Sequence, residues 1–238
     1  MRLKLVVAAL ALFATVASAQ TPPPATAKPL NILLVGASGM IGQRILSEAA
    51  SRGHHVTAAA RHPDKIAKGP NITAVQLDAT DAAALTALAK KADAIVMATS
   101  PRSTGKPMEE AKALGDAGIA AARASGKRLF IVGGASSLNG PDGKPLIDTM
   151  PPQFRTGEPG AMRNVLESLK SSDITWTFFS PAMRIAPGQK TGKYRLGTTT
   201  VIKDDKGDSK ISAEDFADAV VNELEHPKYL KSQMTIGY

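Results

Sequence analysis

The stretch "NILLVGASGMIGQRIL", from Asn31 to Leu46, constrains this chain more than any other part of it. Five residues of strand character end at Gly36 and an amphipathic helical pattern begins at Met40, so Gly36, Gly39 and Gly42 occupy a turn between a strand and a helix. Glycines there allow a tight turn and a close backbone approach, while the helix start presents free N–H groups and the positive end of its dipole to an anion. In that context the G-x-x-G-x-x-G spacing, completed by Ala37, Ser38, Met40 and Ile41, points to the pyrophosphate of a dinucleotide. A purely structural tight turn is the competing reading.

Beyond that turn, apolar runs of strand length alternate with longer alanine-rich segments of helical period. This is the rhythm of parallel strands joined by helical crossovers. The expected fold class is α/β, a Rossmann-like doubly wound parallel sheet. Strands are expected at Asn31–Val35, His55–Ala60, Ile72–Leu77, Ala94–Ala98, Leu129–Val132 and Ile174–Phe179, and helices at Met40–Ser51, Asp81–Lys91, Met108–Ser125 and Ala161–Ser171. The C-terminal part changes character. "GKYRLGTTTVIKDD" reads as a short hairpin and "QMTIGY" as a last strand. Between them lies a helix opened by a capping-box-like Ser212 and Asp215 and stopped by Pro227.

The second strand ends in "TAAARHP", where an NAD-selective fold places a carboxylate on the adenosine ribose. Here the residue is Arg61, whose guanidinium fork suits a 2′-phosphate. NADP(H) is therefore favoured over NAD(H), with His62 and Ser38 assisting; the alternative is a solvated cation beyond a strand end. After the third strand, Asp78 and Ala79 stand where the fold brings a strand end beside the adenine, yet "DATD" also opens a helix, so adenine binding and helix capping both stand. Small residues at the end of the fourth strand, Ala98, Thr99 and Ser100, would let a cofactor lie across the carboxyl edge of the sheet.

The first residues read differently. Arg2 and Lys4 precede an apolar run from Leu5 to Ala17, and Ala17-Ser18-Ala19 follows, the order of a secretory signal. The run falls short of the roughly 20 residues a membrane-crossing helix needs. The expected organisation is a signal peptide over 1–19, a flexible linker over 20–29 and a single NAD(P)-binding domain over 30–238, with no transmembrane span in the mature chain. Export, with no twin arginine and hence in an unfolded state, implies the periplasm; an uncleaved anchor or a cytoplasmic domain is the alternative. Without Arg2 and Lys4 the chain holds 27 basic against 21 acidic residues, a scattered excess of +6. Aromatic content of 4% is poor for stacking bases, so nucleic acid is not an expected partner. The chain has no cysteine, which removes disulfides, thiolate metal sites and a cysteine nucleophile. His54, His55, His62 and His226 lack a metal-binding spacing, and no metal site is expected.

Together, "LLVGASGMIG", "LDATD", "VGGASSL", "WTFFSPA", "PGQKTGKYRLG", "ISAEDFADAVVNELEHP" and "TIGY" resemble the NAD(P)H-flavin reductase group of atypical short-chain dehydrogenase/reductases, relatives of NmrA-like and biliverdin reductase B-like proteins. The likeness runs from about Leu30 to Tyr238. It implies a Rossmann-fold oxidoreductase that passes hydride from NAD(P)H to a small planar acceptor such as a flavin or quinone. It further implies that Gly36, Ser38, Gly39, Met40 and Ile41 hold the pyrophosphate, that Arg61 holds the 2′-phosphate, and that Gly133 and Gly134 border the nicotinamide. Three features depart from the pattern. The Tyr-x-x-x-Lys pair of typical members is absent; Phe154 stands where such relatives carry tyrosine and Ser136 replaces a glycine; and the export signal is atypical of the group.

A flavin or quinone can take its proton from water, so losing the tyrosine acid does not abolish such a reaction. Ser137, after the fifth strand, is the best hydroxyl for orienting an acceptor, against a turn-forming role. Lys193 and Tyr194 are the other catalytic candidates, against an edge-strand cation beside a half-buried aromatic. A cofactor-binding sensor without turnover is the second functional class, favoured by the missing Tyr/Lys pair. A nucleotide-sugar epimerase comes third, because it ordinarily needs that pair.

Overall fold

The computed structural model describes residues 28–238. The expected signal peptide and nearly all of the expected linker lie outside the described residues. The first half forms as the apolar rhythm requires: β1 (Asn31–Val35), α1 (Met40–Ser51), β2 (His55–Ala60), β3 (Ile72–Gln76), α2 (Ala82–Ala89), β4 (Ala94–Met97), α3 (Pro107–Ser125) and β5 (Arg128–Val132). After β5 come two single-turn helices, α4 (Leu146–Thr149) and α5 (Gln153–Thr156), then α6 (Glu158–Lys170) and β6 (Trp176–Ser180). The remainder holds β7 (Arg184–Ala186), β8 (Arg195–Gly197), β9 (Lys210–Ser212), α7 (Ala213–Glu225) and β10 (Ser232–Gly237).

Eight strands form one sheet in the order β3-β2-β1-β4-β5-β6-β10-β8, parallel except for β8. Alternation along β1 sorts the core. Ile32 and Leu34 pack on the face covered by α1 and α7, and Leu33 and Val35 on the face covered by α2, α3 and α6. Both faces are covered, so β1, β4 and β6 are buried almost throughout, as strands between two helical layers must be. The chain enters at the amino end of β1, where the Leu30 N–H donates to Nδ1 of the buried His54 at 3.1 Å.

The expected hairpin does not form. Arg195–Gly197 pairs antiparallel with the outer edge of β10, Leu196 opposite Ile236. The segment after it is taken by Asn139, whose N–H donates to the Thr199 carbonyl at 2.7 Å and whose carbonyl accepts from Val201 N–H at 2.9 Å. The next strand, β9, pairs in parallel with β7 in a separate two-stranded sheet. The free edge of β10 and the Asn139 backbone offer these short segments better partners than each other.

Two helix starts shift for local reasons. Asp81 caps α2 from outside, its Oδ1 accepting from Ala83 and Ala84 N–H at 3.0 Å. Helix α6 begins three residues early at Glu158, with Pro159 in the first turn, where its missing N–H costs nothing.

Candidate functional site

The strand order reverses at β1, with β2 and β3 on one side and β4, β5 and β6 on the other. Ligands of doubly wound sheets bind in the crevice at the carboxyl ends of the strands at such a point. The glycine turn sits there. Gly36 has φ +83° and a Cβ on it would fall 2.5 Å from the Ala98 carbonyl oxygen, while a Cβ on Gly42 would fall 2.1 Å from the Gly36 carbonyl oxygen. These two glycines are required by the protein itself, one by the turn and one by the packing of α1 on it. Gly39 is different. Its φ of −76° suits any residue, and a Cβ would meet only the Gly36 oxygen at 3.3 Å and the Ala98 oxygen at 4.0 Å. The protein leaves that volume open above the start of α1, which carries neither a side-chain cap nor an acidic residue in its first turn. An anion placed there meets unopposed N–H donors, so the cradle fits a dinucleotide pyrophosphate.

Beside the cradle, Arg61 and His62 are exposed at the end of β2, and Arg61 makes no ion pair among the described residues. Asp78 faces it from the end of β3. The N–H and hydroxyl of Thr80 hold the Asp78 carboxyl below its ordinary range, and the charge of Arg61 adds to this. Helix capping falls to Asp81, so Asp78 is free of that duty and instead ties the turn containing Ala79.

A cleft of about 730 Å³ runs from Gly39, Met40 and Ile41 past Ala98, Thr99 and Ser100 to Gly133 and Gly134. Gly133 is fixed by packing as well, since a Cβ there would lie 2.1 Å from the ring of Phe178. The cleft is also lined by Met150, Phe154, Met162, Met183 and Ile185, together with Arg102 and Glu158. Arg102 and Glu158 were not singled out from the sequence. Arg102 is the first charged residue after β4, a signal the topology makes readable, whereas Glu158 reaches the cleft only because α6 starts early. A larger groove of about 830 Å³ lies between α1 and the segment that joins β2 to β3.

The three catalytic candidates lie elsewhere. Ser137 is buried under the cleft floor, where its hydroxyl donates to the Gly134 carbonyl at 2.6 Å and stands 2.8 Å from Ser180 Oγ. Gln233 Nε2 donates to both hydroxyls, at 3.1 and 3.0 Å. The network positions the Gly133-Gly134 turn and offers no hydroxyl to an acceptor; it is Ser136 that borders the cleft, with its own hydroxyl on the Pro159 carbonyl at 2.9 Å. A Ser137→Ala variant is expected to lose about 1–3 kcal/mol of stability in denaturant titration, because Gln233 and Ser180 keep their polar atoms and lose a partner. An unchanged midpoint would contradict this.

Lys193 and Tyr194 are outside the cleft too. Tyr194 packs against the α1 and α7 layer and its hydroxyl donates to Asp218 Oδ2 at 2.6 Å. Burial and that carboxylate push its phenol well above the usual range, so it is a poor proton donor. Lys193 is exposed on the loop before β8. The motif around them has a structural basis in Asp215, which is fully buried. Its Oδ1 accepts from Thr191 and Gly192 N–H, both at 2.8 Å, and its Oδ2 from the Thr191 and Tyr238 hydroxyls, both at 2.7 Å. Ser212 caps α7 by accepting from Asp215 N–H at 3.0 Å, but the carboxylate of Asp215 is engaged by this loop and does not return the bond. "PGQKTGKYRLG" and "ISAEDFADAV" therefore belong to one device that pins a loop to a helix start.

Comparison with known proteins agrees with this geometry. The NAD(P)H-binding family profile matches residues 36–227. YwnB of Bacillus subtilis, a protein of uncharacterised function, is 35% identical over 215 residues, which is 87% of this chain and 98% of that protein. A solved Burkholderia pseudomallei structure, provisionally named an exported protein, is 38% identical with a TM-score of 0.77 over 88% of this chain and 100% of its own. One from Bacteroides thetaiotaomicron, provisionally named an epimerase, is 37% identical with a TM-score of 0.80, covering 89% and 98%. Another from Streptococcus pneumoniae, provisionally named a NADH-flavin reductase, is 27% identical with a TM-score of 0.69, covering 87% and 99%. With the glycine cradle at the switch point of the sheet and the family match spanning most of the chain, this protein belongs to the NAD(P)H-binding family of oxidoreductase-like Rossmann proteins.

Proposed function

We propose that the chain is an NADPH-dependent reductase acting on a flavin, quinone or similar planar acceptor. The observation that carries this reading is the continuity of the cleft, from an open, uncapped phosphate cradle at Gly39 to an apolar end beyond Gly133 and Gly134. A bound nicotinamide dinucleotide supplies two electrons and one proton as hydride, and water supplies the acceptor's second proton. The chain's own part is placement. Gly36 to Ile41 hold the pyrophosphate, Ala98 and Thr99 leave room across the sheet edge, and the Ser137 network fixes the turn that borders the ring. Asp78 and Ala79 border the adenine. Support for an acceptor of the flavin kind comes from the Streptococcus pneumoniae relative.

Selectivity for the phosphorylated cofactor rests on Arg61. Charged hydrogen bonds of this kind are worth about 1.5–3 kcal/mol, so Arg61→Ala is expected to weaken NADPH binding roughly ten- to a hundredfold while leaving NADH binding nearly unchanged. Calorimetric titration with both nucleotides checks it. Their own fluorescence is the better optical signal, because Trp176 sits buried at the amino end of β6, opposite the cleft. Equal losses for both nucleotides would assign Arg61 no role in selectivity, and no binding of either would sink the reductase reading.

A second reading, a nucleotide-binding sensor without turnover, draws on the absence of any tyrosine or lysine from the cleft lining. NADPH oxidation in the presence of riboflavin or a quinone separates the two. An exported location is supported by the N-terminal residue pattern and by the name of the Burkholderia pseudomallei relative. Among the described residues no helix is long and apolar enough to cross a membrane.

A further inference from the structure

Resting on the reductase reading, we propose that the acceptor is an uncharged planar ring and that Glu158, through its pairing with Arg102, turns anionic acceptors away. The acceptor end of the cleft is apolar and methionine-rich. Phe154 and Met183 stand 41% and 51% exposed there. Exposed apolar groups gathered in a groove mark a ligand surface, and methionine adapts its shape and stacks sulfur against aromatic rings.

Two charged side chains line the cleft, and they neutralise each other. Arg102 Nε donates to Glu158 Oε2 at 2.5 Å, and the Ser100 hydroxyl donates to Glu158 Oε1 at 2.5 Å. Arg102 is 74% exposed, so its pair is weak in itself and a phosphate would compete for it. Glu158 is the better held of the two. It is 29% exposed, fixed through Ser100 to the loop after β4, and sits in the first turn of α6, where the helix dipole favours its negative charge. An anionic acceptor gains Arg102 only by taking it from Glu158, whose carboxylate then faces the incoming charge. An uncharged ring disturbs nothing.

Riboflavin and its 5′-phosphate share one ring and differ by that phosphate, which makes them the probes, with 2-methyl-1,4-naphthoquinone as an uncharged quinone. In NADPH oxidation by the full protein, kcat/KM for riboflavin is expected to exceed that for the phosphorylated flavin by about two- to fivefold, the scale of an exposed charge contact. Glu158→Gln removes the opposing charge and frees Arg102, so it narrows the ratio by raising the value for the phosphorylated flavin. Arg102→Gln leaves Glu158 uncompensated and widens it. Equal values for the two flavins in the wild type, or ratios that do not move in opposite directions in the two variants, would overturn the proposal while leaving the reductase reading intact. If NADPH binds but neither flavin nor the quinone is reduced, the reductase reading fails instead. Quenching of flavin fluorescence on binding to the NADP⁺-saturated protein then reads the same preference, with equal affinities counting against it.

Discussion

Asp215→Ala is expected to destabilise the fold by about 4 kcal/mol, above the usual range for single substitutions. For a domain of this size that corresponds to a fall in Tm of about 8–16 °C, measured by calorimetry. The residue touches nothing in the cleft, and its weight comes from what would be left behind. Two backbone N–H groups and two hydroxyls converge on one buried carboxylate, and alanine leaves all four without their acceptor. Burial opposes the charge on Asp215, but the bonds from Thr191, Tyr238 and Gly192 outweigh it and hold the carboxyl below its ordinary range. Asp218 behaves alike, with burial outweighed by Lys190, Tyr194 and Arg52. The sign follows from those lowered folded values. Their stabilisation is complete above the ordinary carboxylate value near ~3.9 and is lost as pH falls through the folded one. Tm should stay level from neutral pH to about 5 and drop below about 4, and Asp215→Asn should flatten that drop. A variant that melts with the wild type at neutral pH would show that the loop is not pinned by this residue.

Gly39→Asp should separate binding from folding in the opposite way. The backbone there is ordinary and a Cβ crowds only the Gly36 carbonyl oxygen, at 3.3 Å, so the fold accepts a side chain after a small shift, a cost that aspartate at this N-cap position offsets by a few tenths of a kcal/mol. The same carboxylate occupies the volume left for a pyrophosphate and opposes its charge. Affinity for both NADPH and NADH should fall about a hundredfold or more, a loss of ~2.7 kcal/mol, with Tm little changed. Calorimetric titration beside thermal melting reads both quantities. Retained affinity would mean that the turn serves packing alone.

Much of the scaffold was legible because the strands between two helical layers are nearly uninterrupted apolar runs and the glycine turn marks its own place. The strands and long helices stand within a few residues of their expected positions, and β1, β2 and α1 stand on them. The cleft was half legible. Gly39, Met40 and Ile41 are set by local sequence next to a strand end, whereas Arg102 and Glu158 meet only through a loop and a helix 56 residues apart. The polar residues misled for one reason. A serine beside a glycine turn or a tyrosine beside a lysine looks reactive in one dimension, and only the third shows that Gln233 and Asp218 already hold them. The hairpin failed because short strands of three residues are decided by whichever edge is vacant, which no local pattern encodes.

The hydrogen bond between Leu30 and His54 fixes more than the start of a strand. It holds the amino end of β1 on the side of the sheet opposite the cleft, a strand length of roughly 17 Å away. Residues 28–30 therefore stand clear of the mouth, and a change made there should leave nucleotide access as it is.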